Sequence, residues 1–299
     1  MKQNNAQTDE IALLDHGAVE WSRVRQTRYW MQQRLQYRYP GPIRELRQRL
    51  MVFPSDRYGD QRLCAFNLCV SAPNASTRAV EDSFGNRVFL VYVPKAEGEV
   101  TFEMQIVVER DLDSAASPRV SAAQAAVYRR PTALTAANPT IGALAQRLAA
   151  EHAEGEQFAE ATNRWVYAAM RYGAGATSVG TTAAEALLIG QGLCQDYAHI
   201  MLAICRAGGL SARYISGHML GEGGSHAWVE VLLPDEADGY RALAFDPTNH
   251  RRTTPAYITV ASGRDYRDVS PTSGSYIAPY LGQLTTSKRA GLIHLEYRQ

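Results

Sequence analysis

Cysteine is scarce and nowhere spaced for a structural metal. The chain has four in 299 residues, and neither Cys64/Cys69 nor Cys194/Cys205 forms a CxxC pair, which argues against a zinc knuckle and a disulfide scaffold. Free thiols are expected, with no metal and no cofactor. An excess of one charge is also missing. With 31 basic and 30 acidic side chains, nothing global draws the chain to nucleic acid or to a membrane surface, and neither is expected as a partner. Long apolar runs are absent as well. The opening MKQNNAQTDEIALLDHGAVE is polar and acidic, without the apolar core of a secretory signal, and no later run reaches membrane-spanning length. A cytoplasmic address is therefore expected.

What is present is a globular composition, 45% hydrophobic, in a chain long enough for two domains with their own cores. Arginine is concentrated locally: residues 23–49 hold eight, against the single acid Glu45. These alternate with Tyr29, Trp30, Leu35, Tyr37 and Tyr39, a pattern that reads as the solvated face of amphipathic elements more than as an anion-binding surface.

From about Arg34 to Arg110 short alternating segments (QRLCAFNLCV, RAVEDSFGNRVFLVYVP, EVTFEMQIVVER) are separated by Pro, Gly, Asn and Asp clusters, the signature of an all-β sandwich or barrel. In DSFGNRV, Asp82, Gly85 and Asn86 are residues that tolerate positive φ in a turn. Between Asp111 and Pro139 the chain turns to Ala, Ser, Thr and Pro with little periodicity for a long packed element. The boundary is expected near residue 130, giving an amino-terminal β domain over 1–130, with 1–25 as a polar leader, and a second domain over 131–299.

That second domain opens with helices. IGALAQRLAAE is one; in GEQFAEATNRWVYAAMRY, Phe158, Ala161, Trp165, Ala168, Ala169 and Tyr172 fall on one face. A third helix is predicted from Cys194 to Ala207, stopped by Gly208-Gly209. ARYISGHML, SHAWVEVLLP and RALAFDP read as strands, the first two joined by GEGG. Helices followed by an antiparallel sheet make an α+β domain. The tail beyond Arg264 carries no readable pattern.

Cys194 follows Gly190-Gln191-Gly192 and enters a helix, where free N–H groups and the dipole favour a thiolate. Cysteines so placed beside a histidine can have pKa values lowered to roughly 3.5–7.5. His226 begins the strand SHAWVEV, sharing a face with Trp228 and Glu230. Asp246 closes ALAFD just before Pro247. A carboxylate on one imidazole nitrogen fixes the tautomer that leaves the other free to take the thiol proton. Each residue alone has a bland reading: a small buried hydrophobe, a structural histidine, a turn aspartate. In this order and context they point together to a Cys-His-Asp centre.

The runs GQGLCQDYAHIMLAICRAGGLSARYISG, SHAWVEVLLP and FDPTN closely resemble the three signature blocks of the bacterial transglutaminase-like superfamily, over about Thr140 to Asn249. YRYPGPIRELRQRLMVFP and DSFGNRV resemble the β-rich amino-terminal domain that accompanies that core in bacteria. The resemblance implies a papain-like α+β core behind a β sandwich, with Cys194, His226 and Asp246 as the catalytic triad. It constrains the reaction less, because the superfamily includes peptidases, amidases, glutamine–amine crosslinkers and acyltransferases. The expected function is a cysteine-dependent amide hydrolase acting through a thioester on a peptide, protein or small amide. The alternatives are an amine acyltransferase with the same triad and a peptide-binding module without turnover. Oligomeric state is left open.

Around the triad, Tyr197 is the expected substrate wall, Trp228 caps the imidazole, lines the acyl pocket or belongs to the core, and Gln191 is a candidate second oxyanion donor. Asp196 and His199 read as buttresses, His218 as an ordinary polar position, Cys205 as buried and inert, and Trp165 as core. The acidic DEADG turn, Asp235 to Gly239, does not have the spacing of a calcium loop. The calcium activation of animal transglutaminases is therefore not expected.

Overall fold

The computed structural model describes residues 11–114, 117–221, 223–235 and 239–298. The amino-terminal strands are β1 (Val24–Arg38), β2 (Ile43–Leu50), β3 (Arg57–Tyr58), β4 (Gln61–Val70), β5 (Ser76–Glu81), β6 (Arg87–Ala96) and β7 (Glu99–Asp111). After β8 (Arg119–Val120) come α1 (Ala122–Arg129), α2 (Pro139–Glu151), α3 (Gly155–Ala169), β9 (Arg171–Tyr172), α4 (Ala183–Ile189), β10 (Gln191–Gly192) and α5 (Cys194–Ala207). Then follow β11 (Ser211–Met219), β12 (His226–Asp235), β13 (Gly239–Asp246), β14 (Arg251–Arg252), β15 (Tyr257–Gly263), β16 (Thr272–Ile277) and β17 (Gln283–Tyr297).

A five-stranded sheet, β17-β1-β7-β4-β3, faces a four-stranded one, β16-β2-β6-β5. Their inner residues interdigitate: Met31 and Leu35 of β1 with Phe102, Met104 and Ile106 of β7 on one side, Ile43, Leu46 and Leu50 of β2 with Val91 and Val93 of β6 on the other. Each such side chain contributes about 1.5–3 kcal/mol of burial. On the outer face of β1 the arginines meet acids directly across the register: Arg28 with Glu109 (2.8 Å), Arg34 with Glu103 (3.6 Å) and Arg38 with Glu99 (3.2 Å).

The second unit has the α+β order read from the sequence. A six-stranded sheet runs β14-β13-β12-β11-β15, with β8 added against β13. Helix α5 lies on the face that carries Ala227, Val229, Val231 and Phe245, and α2, α3 and α4 surround it in the same core. From Asp196 to Arg206 every residue of α5 is buried, which explains why the run is apolar on all sides. The buried cation Arg206 is satisfied by the carbonyls of Tyr128, Ala212 and Arg264 and by Thr135 Oγ1.

Several expectations change. The carboxy-terminal tail, assigned with 131–299 to the second domain, returns to the first: β16 pairs with β2 and β17 with β1. The first half of β17 is exposed on both faces, so it carries no period-two signal. Of the leader 1–25, residues 1–10 lie outside the described residues, whereas Leu14 bridges to Leu292 of β17. Helices α1 and α4 were not anticipated; both are short, and each is started by a capping box, Ser121/Gln124 and Thr182/Glu185. Helix α3 ends at Ala169, so Tyr172 leaves the apolar stripe and stands 62% exposed in β9. In the DSFGNRV turn only Gly85 has positive φ. Asn86 instead exchanges two 2.8 Å hydrogen bonds with the backbone of Ser262, and Gln61 does the same at Thr259. The two amides cover the open edge of β15 and join the units. Within DEADG, residues 236–238 lie outside the described residues, as does residue 222 of GEGG.

Gly217 sits across from His226 in the β11–β12 register. A Cβ there would come within 2.1 Å of the Ile258 carbonyl oxygen and 2.4 Å of Trp228 Cη2. Gly217→Ala should therefore destabilise the fold by about 1–3 kcal/mol, read as a lower urea midpoint.

Candidate active site

Cys194 is placed by a tied turn. Gly190 ends α4 in the left-handed region (φ 70°), and β10 then pairs in parallel with β9. Asp196 Oδ2, one turn into α5, accepts from Leu193 N and from Thr177 Oγ1, both at 2.7 Å. A Cβ on Gly192 would come within 2.5 Å of that oxygen, so only glycine lets the chain pass this close. Burial pushes the Asp196 carboxyl up, and its Oδ1 has no hydrogen-bond partner among the described residues. Within the first turn, Asp196 N and Tyr197 N bond to Leu193 O, and the Cys194 and Gln195 N–H groups are not used by the helix itself. Cys194 is half-buried and its thiol is free.

His226, the first residue of β12, and Asp246, the last of β13, stand at the same end of an antiparallel pair. Nε2 of the imidazole lies 2.8 Å from Asp246 Oδ2, and Cys194 lies near enough to the same ring to act on its titration. Burial alone lowers the His226 pKa; the Asp246 bond and the contact with Cys194 outweigh it and raise it from 6.5 to about 9. Asp246 is fully buried. Burial raises its carboxyl, but His226, Asn249 and Tyr257 together hold it below the ordinary carboxylate value.

The carboxylate is completely occupied. Besides His226, Oδ2 accepts from Tyr257 OH (2.6 Å) and Asn249 Nδ2 (2.7 Å), and Oδ1 from the backbone N–H of Thr248 (3.0 Å) and Asn249 (3.2 Å). Arg251 Nε donates to Tyr257 OH at 2.9 Å, which leaves the phenol proton aimed at Asp246. Trp228, 1% exposed, lies over the imidazole at 6.3 Å with an interplanar angle of 28° and meets Tyr257 edge-on. Removing the phenol takes away a hydrogen bond to a charged group, worth about 1.5–3 kcal/mol. Tyr257→Phe should thus lower kcat/KM roughly tenfold while sparing KM, in steady-state assays beside the parent.

The other sequence candidates are distributed unevenly. Tyr197 is 2% exposed, with its ring 6.5 Å from that of exposed Tyr172, so it backs the rim and is not an open wall. The Gln191 amide rests over Gly173. His199 is buried, accepts from Tyr266 N (3.2 Å), and is lowered to about 4, mainly by desolvation. His218 is also buried and is lowered to about 3 by desolvation and by Lys288; it is not an ordinary polar position. Cys205 is fully buried, its thiol pushed up to about 12. Asn249 and Tyr257 were missed. Asn249 could have been suspected, since an Asn three residues after an Asp in DPTN suits a local side-chain turn, but Tyr257 had no local signal.

Two family models match this architecture, the transglutaminase-like superfamily over residues 142–247 and the bacterial transglutaminase-like N-terminal region over 29–109. This chain is a bacterial transglutaminase-like protein. Its fold is shared with the crystal structure of a "Putative Cysteine Protease" from Cytophaga hutchinsonii, at TM-score 0.71 and 17% identity over 91% of this chain and 93% of that one. An uncharacterised protein of Mycobacterium leprae is 36% identical over 157 residues, 49% of this chain and 54% of its own length. One from Mycobacterium tuberculosis is 38% identical over 120 residues, 36% of this chain and 38% of its own. The chain thus spans about half, or less, of the length of these curated relatives. Among the described residues no helix of this transglutaminase-like protein is long and apolar enough to cross a membrane.

Proposed function

We propose that this chain is a cysteine-dependent amide-bond hydrolase, a peptidase or amidase, with Cys194 as nucleophile, His226 as base and acid, and Asp246 as the orienting carboxylate. The observation that carries the reading is the 2.8 Å contact of His226 Nε2 with a buried, fully hydrogen-bonded Asp246, on a ring whose remaining nitrogen is left for the Cys194 thiol. Sulfur attacks the amide carbonyl, and the C=O electron pair moves to oxygen. The unused N–H of Cys194 faces this oxyanion, and Gln191, whose amide has no hydrogen bond among the described residues, is the second donor. The tetrahedral intermediate collapses, the C–N bond breaks, and the imidazolium gives its proton to the leaving amine. Water, deprotonated by the now neutral His226, then cleaves the thioester and restores the thiol.

Half-exposure of Cys194 leaves the thioester open to water, which favours hydrolysis over transfer to an amine. Tyr172, backed by Tyr197, forms the aromatic rim for a peptide or small amide, and Trp228 holds the imidazole plane. The exposed free thiols Cys64 and Cys69 suit a reducing, cytoplasmic setting. Mass analysis of a glutamine-containing peptide library, with and without a primary amine, tests the reaction. Cys194-dependent cleavage or ammonia release is expected in both; amine incorporation in place of hydrolysis would make the protein a transferase.

A further inference from the structure

The outer face of the four-stranded sheet carries three arginines, of which two have long ion pairs and one has none among the described residues. Register fixes which side chains share it: Ser273 of β16 is paired with Arg49 of β2, Arg49 with Leu90 of β6, and Leu90 with Arg78 of β5. Two residues along, Ser275, Arg47, Tyr92 and Ser76 form a second row. Both rows line one shallow cavity of about 680 Å³. Arg47 pairs with Glu45 and Arg49 with Asp82, each at 3.7 Å, long contacts on a partly exposed face that hold the guanidinium groups weakly; Arg49 also donates to the Asp268 carbonyl at 3.5 Å, and Glu45 accepts from Tyr92 OH at 2.7 Å. Arg78 has no ion pair among the described residues. The contrast is with β1, where Arg28, Arg34 and Arg38 each meet a glutamate directly across the strand.

We propose that this face docks an extended acidic segment of a partner protein. Arg47 and Arg49 are two residues apart on one strand face, about 6.8 Å. That is the repeat at which an extended peptide presents alternate side chains, so carboxylates at every second position match the two rows. Arg49 and Arg78 flank Leu90 from two strands apart, about 10 Å, which lets both guanidinium groups reach one carboxylate above it. Leu90, 41% exposed, and Tyr92 give the apolar floor that a peptide with apolar residues between its acids would cover, and that a phosphate backbone would not use. The inference stands independently of the catalytic reading.

The test is fluorescence anisotropy with a labelled alternating Glu-Leu peptide, its Lys-Leu counterpart and an oligothymidylate, at low and moderate salt. The acidic peptide should bind the parent protein and Cys194→Ala equally, and more weakly as salt rises. Arg47→Ser/Arg49→Ser/Arg78→Ser should weaken binding about tenfold or more. Arg78→Glu, a reversal at one exposed unpaired position, should weaken it in the same direction, with unchanged circular dichroism for both variants. Equal binding by these variants, no binding by the parent, loss of binding in Cys194→Ala, or preference for the oligothymidylate would each overturn the proposal.

Discussion

Cys194→Ala should lower turnover by about six orders of magnitude while leaving the thermal midpoint nearly in place. The first half follows from the chemistry. Without sulfur no thioester forms, and the remaining members of a catalytic unit recover almost none of the lost rate. The second half follows from the packing. The turn that delivers Cys194 is held by Asp196, Leu193 and Thr177, and the rest of α5 is anchored by residues buried in the core, so the thiol itself supports little of the fold. Product formation under enzyme excess and a thermal melt on the same preparation measure both. A variant that retains more than a trace of activity would remove Cys194 from the mechanism.

Asp246→Asn should lower kcat by roughly 10²–10⁴-fold. Its amide cannot accept every donor that converges on the carboxylate from His226, Tyr257, Asn249 and Thr248. One of its two polar atoms is itself a donor, so the imidazole loses the partner that fixes its tautomer. The pH dependence should change as well. In the parent, His226 is raised from 6.5 to about 9. Because the folded value lies above the unfolded one, the stabilisation from its charged form is complete below 6.5 and is lost as pH rises through about 9. The alkaline limb of kcat/KM belongs in the same region. With Asn at 246 the downward effect of burial is less opposed, so that limb should move to lower pH. The melting difference between parent and variant should be largest in mild acid and should close on the alkaline side. An unshifted limb would mean that Asp246 does not govern His226.

Much of the site was legible because its parts are local. A glycine-rich turn entering an apolar run marks a helix start, and α5 begins at Cys194 as that pattern requires. The strands of His226 and Asp246 were visible from their β formers and the Pro that follows. What the sequence hid was of two kinds. Tyr257 reaches Asp246 by crossing the sheet from β15, and no periodicity encodes a contact of that type. The tail joins β1 and β2 through long-range pairing, and the exposed first half of β17 lacks the alternation by which strands are recognised. The arginine-rich stretch proved to be two things. On β1, Arg28, Arg34 and Arg38 form ion pairs directly across the strand, and on β2, Arg47 and Arg49 have longer pairs with Glu45 of their own strand and with Asp82, a difference set by whether the neighbouring strand carries glutamates.

Alkylation by iodoacetamide at pH 6, resolved by cysteine with peptide mass analysis, tests the activated pair most directly, because the molecule carries its own controls. Cys64 and Cys69 are exposed and free, and an ordinary thiol is under about 1% ionised at that pH. Cys194, although half-buried, should be modified about tenfold faster than either or more, and His226→Ala should abolish the advantage. Modification of Cys194 at or below the rate of Cys64 and Cys69, or an advantage that survives loss of His226, would contradict a thiol activated by this histidine.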